Sequence, residues 1–306
     1  MWILYAFGSA FFAGVTAILA KLGIRKTDST VATAIRTIVV LLFTWLIVLI
    51  THVGDQISSI SPKSLLFLIL SGLATGASWL CYFHALSTGP VAQVAAVDKL
   101  SVVLTILLSF LLLHETVSVC KILGTIMIAL GTWMMLDPDP FAKYFQRKKN
   151  PQSAPAARSK KEASHSSSKS WLLYAAASAV FASLTSILGK VGIENVDSNL
   201  GTALRTIVVL IMAWVMVFVT KKQDTIRKIP PKELLFICLS GAATGASWLC
   251  FYAALQQGEA SIVIPIDKLS ILVTVLFSWI VFHEHLSKKA LAGLLVLTAG
   301  TLIMLL

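Results

Sequence analysis

Long apolar stretches recur along the whole chain and are separated by short polar segments. A helix needs about 20 residues to cross the roughly 30 Å hydrocarbon layer of a membrane. Stretches of this length predict ten membrane-spanning helices, near residues 2–20, 31–51, 65–87, 91–113, 118–136, 171–189, 200–220, 234–256, 260–282 and 288–306. Several spans contain Gly, Ser, Thr or a charge, which membrane helices carry where they face other helices or water. The pattern therefore predicts an all-α integral membrane protein with an internally packed bundle.

The sequence also repeats itself. A shift of 169 positions places Asp267 on Asp98 without a gap and leaves about half of the aligned residues identical. This self-similarity predicts the same five-helix fold in both halves. Because each half has an odd number of spans, the second half must enter the membrane from the opposite face. The sequence thus predicts two five-helix repeats of inverted topology, a construction that recurs among secondary transporters.

A basic segment separates the two repeats. Residues 138–170 are rich in Pro, Ser and Lys and have little to bury, which predicts a flexible linker between repeats 1–137 and 171–306. Most Lys and Arg residues fall in this linker or in loops on its side of the membrane. The positive-inside rule then places the linker in the cytoplasm and both termini outside a plasma (bacterial inner) membrane.

Composition excludes several other classes of protein. The chain is 57% hydrophobic and only 13% charged, with a mean hydropathy of +0.85, whereas soluble domains carry about 25% charged residues. The net charge of +11 does not indicate nucleic-acid binding, because the basic residues cluster between apolar runs. No twin-carboxylate, nucleophile–base or metal-ligand spacing stands out. We therefore expect neither an enzyme nor a bound metal or cofactor.

Six charged residues fall inside the predicted spans away from their first few residues, three in each repeat: Arg36, Asp98, Lys99, Arg205, Asp267 and Lys268. A charge at the bilayer centre costs about 2.5–3.5 kcal/mol on insertion scales, so an intramembrane ionisable group is by default a functional hypothesis. We predict that these six bind substrate or couple its transport. Their depths allow each Arg to pair with the Asp of its own repeat, and a purely structural ion pair is the alternative.

Polar residues accompany these charges at helical spacing. Asp98, Ser101 and Thr105 lie on one stripe of the fourth helix, and the third helix carries a matching line. The two stripes and their twins predict a wet central cavity, lined by Ser71, Thr75, Ser78, Trp79, Tyr82, Ser101, Thr105, Ser240, Thr244, Ser247, Trp248, Tyr252, Ser270 and Thr274. Interhelical hydrogen bonds are an equal alternative for the hydroxyls, and interface anchoring is the alternative for the tryptophans.

With its two five-span copies, the chain resembles the EamA family of the drug/metabolite transporter superfamily. Glu115 and Glu284 each close a fourth helix before a Gly-containing fifth, and the whole looks like a fusion of two single-repeat EamA proteins. The resemblance implies a small-metabolite transporter with a central cavity between inverted halves, working by alternating access. It also implies termini in the cytoplasm, opposite to the charge rule, and both orientations stay open.

Together these features favour a secondary transporter of small polar metabolites, such as amino acids or other amphoteric compounds. Asp98 and Asp267 are candidates for proton or substrate coupling, and Arg36 and Arg205 for binding an anionic group. Two alternatives stay open: transport of organic cations or drugs through an aromatic-lined cavity, and a membrane scaffold that acts through the basic linker. The expected partners are a small-molecule substrate, the lipid bilayer and, as candidate coupling ions, protons, but no nucleic acid.

Overall fold

A computed structural model describes residues 1–24, 27–88, 94, 97, 101–135, 170–282 and 288–305. In the first repeat it contains α1 (Trp2–Gly23), α2 (Ser29–Ile50), α3 (Pro62–Thr88), α4 (Ser101–Leu112) and α5 (Val119–Met135). In the second repeat it contains α6 (Ser170–Gly192), α7 (Ser198–Val219), α8 (Pro231–Gln257), α9 (Ala260–Lys268), α10 (Ser270–Phe282) and α11 (Lys288–Ile303). Short 3₁₀ helices, Gly54–Ser59 and Gln223–Lys228, follow the second helix of each repeat. The described residues form no strand.

Among the described residues, seven stretches of helix are long and apolar enough to cross a membrane: Trp2–Gly23, Ser29–Ile50, Pro62–Tyr82, Trp171–Gly192, Ser198–Val219, Pro231–Gln257 and Ala260–Phe277. Three shorter apolar helices lie at Ser101–Leu112, Val119–Met134 and Lys289–Ile303. Helices suit these segments because a backbone in lipid must satisfy its own hydrogen bonds. The protein is therefore an all-helical, multi-pass membrane protein, and the count of ten spans stays a prediction.

The predicted ninth span is divided at Leu269. The amide of Leu269 donates to the Ile266 carbonyl (2.9 Å), and that of Leu272 donates to the Leu269 carbonyl (2.8 Å). These i→i+3 bonds are tighter than α-helical ones, and Pro265 removes a further helical hydrogen bond within α9. The chain therefore forms a short helix, α9, followed by a separate α10.

Helices of one repeat pack mainly against helices of the other: α1 against α8, α3 against α6, α2 against α7, and α5 against α11. The last pair is antiparallel, because Gly124 contacts Gly300 whereas Gly131 contacts Gly293. The α2–α7 pair is antiparallel too. The first turn of α2 clusters with the last turns of α7, and Val48 near the end of α2 clusters with residues that begin α7.

Apolar side chains cover the outside of the bundle, and polar side chains lie inside. Leu42 and Leu173 are 66% and 73% exposed, while the hydroxyls of Ser9, Ser178 and Ser240 are fully buried between helices. Lipid solvates the exterior, so packing and interhelical hydrogen bonds hold the bundle together. This distribution places the polar groups that bear on function along the centre of the bundle.

Charged residues form an ion pair and a helix cap at the end of the bundle where α6 begins, here called the linker end. Asp28 caps α2 by accepting from the Thr30 amide (2.9 Å), and it forms an ion pair with Lys222. Burial alone would raise the pKa of Asp28, but the hydrogen bond and charge of Lys222 and the backbone amides hold it below its ordinary value. The ion pair joins the α1–α2 turn to the segment after α7.

Candidate functional site

A cavity of 320 Å³ lies at the centre of the bundle, where α1, α3, α6, α7, α8 and α9 meet. Its lining consists of Ser9, Ala13, Thr75, Ser78, Trp79, Ala182, Thr185, Ser186, Arg205, Ser247, Trp248, Phe251, Tyr252, Asp267 and Lys268. Both repeats contribute twin positions: Trp79 with Trp248, and Ser78 with Ser247. The cavity therefore lies at the junction of the two repeats.

Arg205 is the most buried charge of the site. It lies about two turns into α7 and is 3% exposed. Its Nε donates to the Ser71 hydroxyl (2.9 Å), and one terminal nitrogen donates to the Thr75 hydroxyl (2.6 Å). Its Cζ lies 5.0 Å from the ring centroid of Trp248 and 5.1 Å from that of Tyr252. Hydroxyls and aromatic faces thus hold the guanidinium in place without cancelling its charge.

Asp267 and Lys268 end α9 and face the same cavity. Asp267 accepts a 2.5 Å hydrogen bond from Ser9 of α1, and its other carboxylate oxygen lies 3.8 Å from the Lys268 ammonium. The Asp267 side chain is 17% exposed and that of Lys268 is 46% exposed. One wall of the cavity therefore carries a carboxylate beside an ammonium.

This geometry corrects one expectation about the charged residues. The predicted pair of Arg205 with Asp267 is wrong, because α3 supplies the partners of the arginine and α1 supplies a partner of the aspartate. The structure also shows that Asp267 and Lys268, which are neighbours at the end of α9, both line the cavity. Since α9 ends at Lys268, both side chains reach the cavity from the end of a helix.

Three of the hydroxyls predicted to line the cavity instead connect helices beside it. Ser71 donates to the Thr185 carbonyl (2.6 Å). Ser240 donates to the Thr16 carbonyl (3.2 Å), and Thr244 donates to the Thr16 hydroxyl (3.3 Å). Each hydroxyl lies at the α3–α6 or α1–α8 interface, where it forms a hydrogen bond between helices and does not line the cavity.

Other predicted lining residues are also outside this cavity. Thr105 and Thr274 donate to carbonyls of their own helices, those of Ser101 and Ser270 respectively, a bond that threonine commonly makes one turn back. Tyr82 packs against a hydrophobic cluster near the start of α6. The continuous polar stripe predicted for the fourth helix is therefore used partly for local bonding.

The charged cluster of the first repeat is described only in part. Arg36 is half-buried on α2, and its carbonyl oxygen lies against Gly241 of α8. Among the described contacts, Arg36 makes no hydrogen bond to Ser240 or Thr244, the twins of the two hydroxyls that Arg205 binds. Asp98 and Lys99 lie outside the described residues, so their predicted pairing and roles stay predictions.

The structure adds cavity residues that the sequence prediction missed. Ser9 and Ala13 come from α1, and Thr185 and Ser186 come from α6. A signal for them exists, because small and polar residues recur at helical spacing in the first helix of each repeat. Among the described residues, no three His, Cys, Asp or Glu side chains are grouped closely enough to hold a metal ion.

Comparisons with known proteins agree with this architecture. The model of the EamA-like transporter family matches residues 1–137 and 169–306. An "Uncharacterized transporter in cobO 3'region" from Sinorhizobium sp is 39% identical over 137 residues, which are 45% of this chain and 97% of that relative. The relative is therefore about as long as one repeat. A protein of known crystal structure superposes with a TM-score of 0.72, covering 99% of this chain and 96% of its own, at 16% identity; at this identity the likeness concerns the fold alone.

Proposed function

The chain belongs to the EamA-like transporter family, and from this premise we propose that it is a secondary transporter of small polar metabolites that works by alternating access. Membership of this family makes the chain a multi-pass membrane transporter rather than an enzyme. The proposal adds the substrate class, the mechanism and the residues. Its substrates are amino acids or other amphoteric compounds that carry both charges.

The packing of twin helices supports an inverted arrangement of repeats 1–137 and 171–306, joined by linker 138–170. Helices α2 and α7 are twins, as are α5 and α11, and both pairs are antiparallel. Repeats related by an axis along the membrane normal would instead have twin helices pointing the same way. Inverted repeats place a binding site near the midplane and allow one half to rock against the other.

Similar repeats also favour cycling between two states. If the two repeats pack in nearly equivalent ways, the states open to either face lie close in free energy, as population of both requires. The cavity is built from twin residues, Trp79 and Trp248 among them, so each repeat contributes comparable surfaces. We propose that the plasma membrane holds the protein, with linker 138–170 in the cytoplasm as the charge rule predicts.

The presence of both charges in one cavity is the observation that carries the substrate class. Arg205 is bonded to neutral hydroxyls, and so retains a positive potential suited to a carboxylate. Asp267 lies on another wall and accepts from Ser9, leaving a carboxylate suited to an amine or to a transported proton. A zwitterion fits the two groups at once.

The organic-cation alternative is less well supported. Its recognition elements are aromatic faces, and the guanidinium of Arg205 already lies over two of them, Trp248 and Tyr252. A substrate cation would compete with this built-in cation and would be repelled by it. The scaffold alternative depends on linker 138–170, most of which lies outside the described residues, and it offers no use for a charged central cavity.

Transport by purified protein in liposomes tests the proposal. Wild-type protein should exchange radiolabelled amino acids against the same unlabelled compounds, and Asp267→Asn should lower the rate at least tenfold. Asp55→Asn is a matched control, because Asp55 is exposed on the 3₁₀ helix after α2. Wild-type rates in the Asp267→Asn protein would contradict the assigned role, and exchange of quaternary ammonium compounds without amino acids would favour the cation alternative.

A further inference from the structure

Glu115 joins the two repeats at the far end of the bundle, opposite the linker end. Its carboxylate accepts from the amides of Ala260 (2.6 Å) and Ser261 (2.9 Å) and from the Lys190 ammonium (2.9 Å). Lys190 also donates to the Gly258 carbonyl (2.6 Å). The Glu115 side chain is only 6% exposed. Glu115, Lys190 and residues 258–261 are called the far-end latch below.

The far-end latch holds one end of α9, and the cavity charges occupy its other end. Helix α9 is nine residues long, which is about 13 Å. Its first turn donates to Glu115, whereas Asp267 and Lys268 in its last turn line the cavity. The break at Leu269 separates α9 from α10. A displacement at the latch is therefore carried directly to the cavity by a short, stiff element.

The two charged residues of the far-end latch have twin positions in the sequence. The shift of 169 positions places Glu284 on Glu115 and Lys190 on Lys21. Lys21 ends α1, at the linker end, and Glu284 lies outside the described residues. Alternating access requires one end of the bundle to close while the other opens, so the contacts that close the far end must break during the cycle.

The far end carries one further ion pair. At the far end, Lys121 pairs with Glu259 and donates to the Thr116 carbonyl (2.7 Å). The twin positions are Ala290 and Pro90, whose side chains carry no charge. The far end therefore has an additional contact between repeats, and the linker end has no equivalent ion pair at these positions.

We propose that Glu115 and Lys190 form the gate at the far end. Helix α9 couples the far-end gate to Asp267 and Lys268. The pair of Lys121 with Glu259 biases the transporter toward the state closed at the far end. This inference rests on the proposed alternating access, and it assigns positioning roles to residues outside the cavity.

The chemistry explains why a carboxylate is needed at the latch. An anion at the start of a helix interacts favourably with free amides and with the helix dipole. The ammonium of Lys190 adds a charge-assisted hydrogen bond. Glutamine in place of Glu115 retains the shape but loses the charge, so it weakens all three bonds together.

Distances between spin labels across the far end test the proposal without a transport assay. Labels are placed at Val117→Cys and Asn195→Cys, both exposed, in a chain whose four native cysteines are replaced by serine. In lipid nanodiscs, Glu115→Gln should raise the ratio of long to short distances by about tenfold to a hundredfold. Lys121→Ala should move it in the same direction by less. The exposed control Asp55→Asn should leave the ratio unchanged.

A shift toward long distances in protein that stays folded separates a gate from a merely structural contact. Lys190→Gln provides a second disruption of the far-end latch if the Glu115→Gln protein does not fold, as judged by gel filtration. Unchanged distances in the folded latch variants would overturn the proposal. If wild-type protein shows two distances whose populations the substitutions do not change, the gate role of the far-end latch is refuted but alternating access is not. One fixed distance in wild-type protein and every variant would also refute alternating access.

Discussion

The contact between α5 and α11 permits a quantitative prediction about the interface between the repeats. A Cβ atom built at Gly131 would lie 2.5 Å from the Leu297 amide nitrogen and 2.7 Å from the Gly293 carbonyl oxygen. Both neighbours are backbone atoms, so no rotamer change relieves the contact. To bring the shorter distance to the 3.4 Å of ordinary contact, the two helices must separate by about 0.9 Å at this point.

Gly131→Ala should therefore destabilise the protein. Overpacking of this kind costs about 1–3 kcal/mol, whereas alanine improves helix propensity by up to about 1 kcal/mol relative to glycine. Gly8→Ala is the matched control, because a Cβ at Gly8 would lie 3.5 Å from the Cys250 sulfur, an ordinary contact. Both substitutions gain the same helix propensity, so the difference between them isolates the packing cost.

Unfolding in mixed detergent and SDS micelles measures this difference. The Gly131→Ala protein should be less stable than the Gly8→Ala protein by about 1–3 kcal/mol. Equal stabilities would refute the close antiparallel contact of α5 with α11, and with it part of the support for inverted repeats. Gel filtration of both proteins confirms that the comparison is made between folded species.

Two further predictions concern the ends of the bundle. The buried carboxylate of Glu233 accepts two hydrogen bonds from the α1–α2 turn, and Glu233→Gln weakens both. This substitution should lower the free energy of unfolding by about 1–3 kcal/mol in the same assay. An unchanged unfolding midpoint would contradict this prediction. Burial alone would raise the pKa of Glu115, but hydrogen bonds from α9 and the charge of Lys190 lower it. The closed far end is thus stabilised above the ordinary glutamate pKa of about 4.3 and loses this stabilisation as pH falls through the lowered pKa. The spin-label distances should lengthen only in that acid range. Lys121 and Glu259 also face this region, so the Lys121→Ala protein serves as the control for their contribution. Lengthening near neutral pH would contradict the predicted direction of the pH dependence.

Much of the helical architecture could be predicted because lipid restricts what a chain can do. An apolar run of sufficient length has to satisfy its backbone hydrogen bonds internally, which is why the predicted spans coincide with α1, α2, α3 and their twins. The repeat then predicts which residues are equivalent. The position of Ser78, Trp79 and their twins within apolar helices predicts that these residues lie together. All four line the cavity.

The partners of the charged residues could not be predicted in the same way. Depth in the membrane allows Arg205 to meet Asp267, but the contact depends on which helices are neighbours and how each is rotated. Because α3 packs against α6 and α1 packs against α8, Arg205 binds two hydroxyls of α3 and Asp267 binds a serine of α1. Periodicity within one helix does not show which helices pack together or how each is rotated.

The break in the ninth span is a second limit of prediction. Pro265 is visible in the sequence, but a proline within an apolar run often only kinks a membrane helix. The end of α9 at Lys268 changes the directions of two charged side chains, and this places both on the cavity. The hydroxyls of Thr105 and Thr274 show the converse, because local bonding to the preceding turn competes with the cavity.

Labelling of one cysteine within the cavity tests the central claim most directly. Ala182 lines the cavity, and Ala182→Cys can be introduced into a chain whose native cysteines are replaced by serine. In oriented vesicles, a membrane-impermeant maleimide should react with it when added to either face, and Glu115→Gln should accelerate the reaction from the far-end face alone. Reaction from one face only, with or without Glu115→Gln, would contradict a cavity that opens alternately between two inverted repeats.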